Sequence, residues 1–217
     1  MTYDAVIFDM DGVLIDSEIL YCRQMSEYSD AHGYGIPMEL IKASVGGSTK
    51  SINDMFVSYV GDPSNDRLFY QFIEDIRDEP VNYTEILFPG VIELLEFLKE
   101  NRVKTSLASS TDMVDIIEAL DDSDTKKYFD VIQSGEMFTE SKPNPEIYLK
   151  TAALMGVDPA KCIVIEDSAY GIEAGKAAGC YVIARREDRF GFRQDEADIV
   201  LPDHFAIKEK IAELLGL

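Results

Sequence analysis

Ala5-Val6-Ile7-Phe8-Asp9-Met10-Asp11-Gly12: four apolar residues in unbroken succession, then two acids around a methionine, then a glycine. A continuous apolar run of this length suits a strand covered on both faces, as in a parallel sheet between layers of helices. Similar runs stand at 162–165, 181–184 and 199–201, with weaker ones at 103–108 and 131–132. Helical patterns lie between them. Val91, Leu94, Leu95 and Leu98 repeat at i, i+3, i+4, i+7 just after Pro89-Gly90. Gly171, Gly175, Ala178 and Gly179 set small residues along one side of another helix, which lets it lie close to a sheet. Strand and helix alternate from residue 86 to the end, which predicts a doubly wound α/β core.

Residues 17–84 read differently. Ile52, Met55, Phe56 and Tyr59, then Phe69, Phe72, Ile73 and Ile76, carry helical spacing, and no strong strand signal stands among them. Gly33, Gly35, Pro37, Gly46-Gly47 and Gly61-Asp62-Pro63 punctuate the stretch. The pattern predicts a helical domain at 17–84, inserted directly after the first strand of a core formed by 1–16 and 85–217.

With 217 residues, 46% of them hydrophobic, the chain has material for one ordinary domain and a smaller partner. Its 41 acidic residues against 20 basic give a net charge of −21. Such a surface repels phosphate backbones and anionic lipid, so neither nucleic acid nor a membrane is an expected partner. A phosphorylated ligand is repelled as well, and its site needs local cations or a metal. The start of the chain shows no basic segment followed by an apolar run, and no apolar stretch approaches ~18 residues, so a cytoplasmic location is expected. Cys22, Cys162 and Cys180, odd in number and widely spaced, read as reduced, buried small hydrophobes.

The chemistry gathers at the expected strand ends. In a parallel α/β sheet, ligands bind beyond the carboxyl ends of the strands, where Asp9 and Asp11 would project. Two carboxylates at this spacing divide labour: one holds a metal and attacks as a nucleophile, the other moves a proton. The strand at 103–108 runs into Ser109-Ser110-Thr111, hydroxyl and N–H groups at an expected helix start, an anion-binding arrangement. In Lys142-Pro143-Asn144-Pro145 the first proline keeps Lys142 out of the helical region, while Asn144 and Pro145 supply an N-cap and a first helical position. The strand at 162–165 ends in Glu166-Asp167-Ser168, whose carboxylates suit Mg²⁺. Taken singly, each of these is ordinarily a turn, a cap or a solvated loop. Together, four strand ends offer a nucleophile, a hydroxyl, a cation and metal ligands, as phosphoryl transfer requires.

The run from Asp9 to Glu18 (Asp-Met-Asp-Gly-Val-Leu-Ile-Asp-Ser-Glu), followed in order by Ser109, Lys142-Pro143 and Glu166-Asp167-Ser168, resembles the haloacid dehalogenase superfamily. The likeness is greatest to its branch of β-phosphoglucomutases and sugar-phosphate phosphatases, and it covers nearly the whole chain. It implies a Rossmann-like core with a helical cap inserted after strand one. It also implies roles. Asp9 would attack phosphorus, and Asp11 would act as acid and then base. Asp9, the Asp11 carbonyl and Asp167 would hold Mg²⁺, with Glu166 helping directly or through water. Ser109, Ser110, Lys142 and the N–H groups of Met10 and Asp11 would bind the phosphoryl group.

Whether water or a second hydroxyl receives that group falls to the cap. The resembling mutases carry a histidine four residues after the hinge hydroxyl, where this chain has Tyr21. They carry an arginine after the Gly-x-Ser of the cap loop, where Thr49 and then Lys50 follow Ser48. They carry Lys-Asn three residues beyond the motif serine, where Asp112-Met113 stands. The expected activity is therefore a phosphatase acting on a small phosphorylated metabolite such as a sugar phosphate. A phosphosugar mutase is the alternative, and a non-catalytic binding protein a weaker one. Gly46 to Lys50 is the candidate substrate loop, with Ser48 and Lys50 its polar members. A monomer or weak oligomer is expected.

Overall fold

In the structure, a computed structural model, residues 3–45, 49–76 and 80–217 are described. Six strands form one sheet: β1 (Ala5–Phe8), β2 (Lys104–Ser109), β3 (Val131–Ser134), β4 (Cys162–Glu166), β5 (Tyr181–Arg185) and β6 (Ile199–Leu201). They lie in the order β3-β2-β1-β4-β5-β6, and every pairing is parallel. β1 is thus flanked by β2 and β4, with Phe8 level with Leu107 on one side and Ile165 on the other. All four of its residues are buried, as expected for a strand covered on both faces.

The chain divides into two compact units, one of residues 1–16 and 82–217, the other of residues 17–81. The boundary falls at Asn82, three residues ahead of the 85 expected from sequence. Two bonds account for this placing of 82–86: Tyr83 N–H donates to Asp122, and the Ile86 carbonyl accepts from Asp16 N–H.

The 17–81 unit contains α1 (Ser17–Ala31), α2 (Met38–Ser44), α3 (Thr49–Val60) and α4 (Leu68–Ile76), and no strand among its described residues. Ile52 and Phe56 from α3 and Leu68, Phe69 and Phe72 from α4 are buried. Each such side chain contributes about 1.5–3 kcal/mol of burial. Asn53, buried beside them, donates to the Asp66 carbonyl at 2.8 Å and accepts the Phe69 N–H at 3.0 Å, tying the two helices together. The Tyr21 ring packs edge-on against Phe69 and Phe72, and burial raises its phenol pKa.

In the larger unit α5 (Val91–Glu100), α6 (Met113–Asp122), α7 (Glu146–Met155), α8 (Ala169–Ala177) and α9 (His204–Leu215) surround the sheet. The expected face of α5 is the observed one: Val91, Leu94, Leu95 and Leu98 are buried. One core cluster joins Ala5 and Ile7 of β1 to Val164, Val182 and the helical residues Tyr148, Ala152 and Ile172. No helix among the described residues is long and apolar enough to cross a membrane.

Candidate active site

The carboxyl ends of β1, β2 and β4 meet because the register aligns them. Asp9 follows β1 directly, and its N–H donates to Ile165 of β4 at 3.0 Å. After Asp9 the chain coils on itself, with the Met10 carbonyl accepting from Val13, Leu14 and Ile15. Gly12 makes that turn at φ +71, a left-handed conformation that disfavours other residues. A Cβ at Gly12 would also lie 2.0 Å from Asp167 Oδ2, so the glycine admits the carboxylate of the neighbouring strand end.

Lys142 brings the acids together. Its ammonium donates to Asp9 Oδ1 at 2.6 Å, Glu166 Oε1 at 2.7 Å and the Ala108 carbonyl at 3.1 Å. It lies on the loop before α7 and is the first residue of the cis peptide Lys142-Pro143. Lys142, Asp9 and Glu166 are all buried. Burial alone would lower the Lys142 pKa, but the Asp9 and Glu166 carboxylates hold it well above the ordinary value. Glu166 behaves oppositely. Burial pushes its carboxyl up, but the Lys142 charge and hydrogen bonds from Lys142, Tyr148 and Ser168 hold it below the ordinary range. Asp9 is raised well above its usual value, burial outweighing the pull of Lys142.

Asp9, Glu166 and Asp167 are buried, and each offers an oxygen within 4.8 Å of the other two. One lysine faces three carboxylates, so the cluster carries more negative charge than its own residues balance. Hard oxygen donors with surplus negative charge are what a Mg²⁺ site requires, and the residues present fit that ion. Glu166 already accepts Lys142 and Tyr148 on Oε1, and Asp167 N–H, Ser168 N–H and Ser168 Oγ on Oε2. Its position depends on Gly171 in α8, where a Cβ would fall 1.7 Å from Oε1.

Asp11 occupies a different setting. Half-buried, it accepts Thr111 Oγ1 at 2.6 Å and, at a longer 3.5 Å, Ser109 Oγ. Ser109 Oγ in turn accepts the Thr111 N–H at 3.0 Å, and the Thr111 carbonyl accepts Ser134 Oγ at 2.7 Å.

Of the residues singled out in the sequence, Asp9, Asp11, Ser109, Lys142, Glu166 and Asp167 thus meet at one end of the sheet, with Met10 buried beneath them. Ser110 is exposed and takes no part in these bonds. Lys50 is the second residue of α3 in the other unit, exposed and paired with Asp54 at 2.6 Å, while Ser48 lies outside the described residues. Two helix starts differ from expectation. α6 begins only at Met113, because the Ser109–Thr111 turn is held by its own hydroxyl bonds. α7 begins at Glu146, with Asn144 Oδ1 accepting the Glu146 N–H at 2.9 Å. Thr111, Tyr148 and Gln194 carried no assigned role in the sequence, yet all three bond to the cluster. Thr111 alone had a signal there, in the hydroxyl run that begins at Ser109.

Comparison with known proteins agrees with this geometry. A family model described as haloacid dehalogenase-like hydrolase matches residues 6–185. A phosphorylated carbohydrates phosphatase of Thermotoga maritima is 35% identical over 178 residues, spanning 81% of this chain and 82% of that protein. Hexitol phosphatase B of Escherichia coli is 34% identical over 178 residues, spanning 80% and 79%. A crystal structure from Thermotoga maritima, provisionally designated a β-phosphoglucomutase, superposes with a TM-score of 0.79 at 30% identity and covers 98% of both chains.

Proposed function

The chain belongs to the haloacid dehalogenase-like hydrolases, and from that premise we propose that it is a Mg²⁺-dependent phosphatase of small phosphorylated carbohydrates, working through an aspartyl-phosphate at Asp9. The observation that carries this reading is the contrast between its two carboxylates. Asp9 is buried against Lys142, whereas Asp11 is half-buried and bonded to a hydroxyl. An oxygen of Asp9 attacks phosphorus, and the ester P–O bond breaks as Asp11 gives its proton to the leaving oxygen. The Asp11 carboxylate then takes a proton from water. That water attacks phosphorus, the Asp9–phosphoryl bond breaks, and inorganic phosphate leaves with both acids restored. Lys142, Ser109 and the Met10 and Asp11 N–H groups hold the phosphoryl oxygens.

Asp9, Asp167 and the Asp11 carbonyl are the groups that would hold Mg²⁺. Glu166, its oxygens already engaged by five donors, would act through water. The ion supplies positive charge where a carboxylate must approach a phosphate dianion. Among substrates, the likeness to phosphatases named for phosphorylated carbohydrates and hexitols favours sugar and sugar-alcohol monoesters.

The likeness to a structure designated a β-phosphoglucomutase keeps a second reading, the phosphosugar mutase. Against it stand Tyr21, Thr49 and Asp112-Met113, which lack the charges a mutase needs to grip a second phosphate. One experiment separates the two. The protein is incubated with hexose and hexitol phosphates, and with β-glucose 1-phosphate plus a trace of the 1,6-bisphosphate, each with Mg²⁺ and with chelator. Phosphate release that requires Mg²⁺ is the expected result. Rapid glucose 6-phosphate formation with little free phosphate would establish the mutase, and inertness towards every monoester would refute both.

A further inference from the structure

Gln194 comes from outside every motif and reaches the acidic cluster from the loop between β5 and β6. Its Nε2 donates to the Asp167 carbonyl at 2.6 Å and to the Arg185 carbonyl at 2.7 Å, while its Oε1 accepts the Glu187 N–H at 3.1 Å. Two carbonyls on one side and an N–H on the other permit only one orientation of the amide. The side chain is buried. A second fastening runs through Arg185, also buried, whose Nε donates to the Gly12 carbonyl and whose guanidinium lies 4.0 Å over the Phe88 ring. Gly12 is the residue against which the Asp167 carboxylate rests. Asp167 is therefore located twice, its main chain by Gln194 and its carboxylate by a turn that Arg185 holds.

We infer that Gln194 is a positioning residue for the divalent-cation site, fixing the Asp167 carboxylate at its working distance from Asp9. The inference rests on the reading of Asp9 and Asp167 as cation ligands. Mg²⁺ demands near-ideal octahedral geometry and tolerates little displacement of a ligand. Loss of an outer partner of a ligand typically costs about 10–100-fold in metal affinity. Gln194 makes this kind of contact on the main chain of the ligand, and its two other bonds anchor it to β5 and to the loop beyond.

The test measures cation binding directly, in chelator-treated protein, by Mn²⁺ electron paramagnetic resonance and Mg²⁺ calorimetry. Gln194→Met keeps the length of the side chain and removes its donors and acceptor. The expected result is at least about a tenfold weaker affinity for both ions, with the Mg²⁺ needed for half-maximal activity raised in parallel. The KM for substrate at saturating Mg²⁺ should stay within about twofold. A lowered melting temperature with unchanged cation affinity would mean that Gln194 only fills space, and the inference would fall. Should Gln194→Met not fold, Gln194→Glu, which keeps the acceptor for the Glu187 N–H, is read the same way. Parent protein that binds Mg²⁺ but releases no phosphate would defeat the phosphatase reading and leave this inference standing. A parent that takes up neither ion would defeat this one.

Discussion

The Lys142 ammonium sits 4.9 Å over the ring of Tyr148, and the Tyr148 hydroxyl donates at 2.7 Å to the same Glu166 oxygen that Lys142 holds. One tyrosine thus steadies the cation with its face and the carboxylate with its edge. The two partners are unequal. Tyr148→Phe keeps the ring and removes one hydrogen bond, an expected loss of about 1–2 kcal/mol. Lys142→Ala strands two buried carboxylates and should cost about 3–5 kcal/mol. Urea unfolding of the two variants beside the parent checks the order, and an equal loss would contradict the geometry.

Asp9→Asn should reduce turnover at least about a thousandfold, roughly 4 kcal/mol of barrier, because a neutral amide forms no acyl phosphate. Single-turnover phosphate release measures it.

Thr111→Val removes the 2.6 Å donor to Asp11 and keeps the side-chain shape. If Asp11 protonates the leaving oxygen, this change should slow an alkyl phosphate far more than p-nitrophenyl phosphate, which needs little protonation. Asp11→Asn should exaggerate the same split. Equal slowing of both substrates would remove Asp11 from the acid role.

Gly171→Ala tests the closeness of α8 to Glu166. The new Cβ would fall 1.7 Å from an oxygen already held by Lys142 and Tyr148, so the clash has no cheap escape. The expected cost is about 2–4 kcal/mol with most activity lost. Gly156, where an added Cβ meets nothing within 4 Å, serves for comparison, although its φ of +65 strains any side chain there.

Glu187 supplies a pH signature. Burial pushes its carboxyl up, but hydrogen bonds from Arg189 and Arg185 carry it down to about 2. Its folded pKa lies below its unfolded one, so its contribution is complete above about 4.5 and fades as pH falls towards about 2. Glu187→Gln should therefore destabilise strongly at pH 7, and the gap to the parent should narrow in urea melts below pH 4.5. A gap that stays constant with pH would rule out the ionised pair.

The strands were legible because a buried parallel strand leaves a continuous apolar run, and Ala5–Phe8 leaves one bounded by acids. Asp9, Asp11, Glu166 and Asp167 were legible because each follows or adjoins such a run, and Lys142 because the prolines after it mark a short loop rather than a helix. Tyr148 was not, since inside α7 a tyrosine at a buried position looks like any other core aromatic. Gln194 was hidden further. Its partners are main-chain atoms of Asp167, Arg185 and Glu187, and no side-chain pattern in a sequence records a bond to a carbonyl. The helix starts at Met113 and Glu146 slipped for a related reason, hydroxyl and amide side chains having organised the preceding turns.

The place of β1 in the sheet has a consequence during synthesis. It is the first strand to leave the ribosome, yet its two neighbours begin at Lys104 and Cys162. The 17–81 unit is continuous and complete once residue 81 has been added. Ala5 to Phe8 must wait, apolar and unpaired, until β2 and then β4 have been translated. Long-range pairing of this kind is slow and leaves surface prone to association in the interval. The nascent chain therefore carries this apolar segment, the one that leads into Asp9, unpaired on one side until β4 at Cys162–Glu166 has been added.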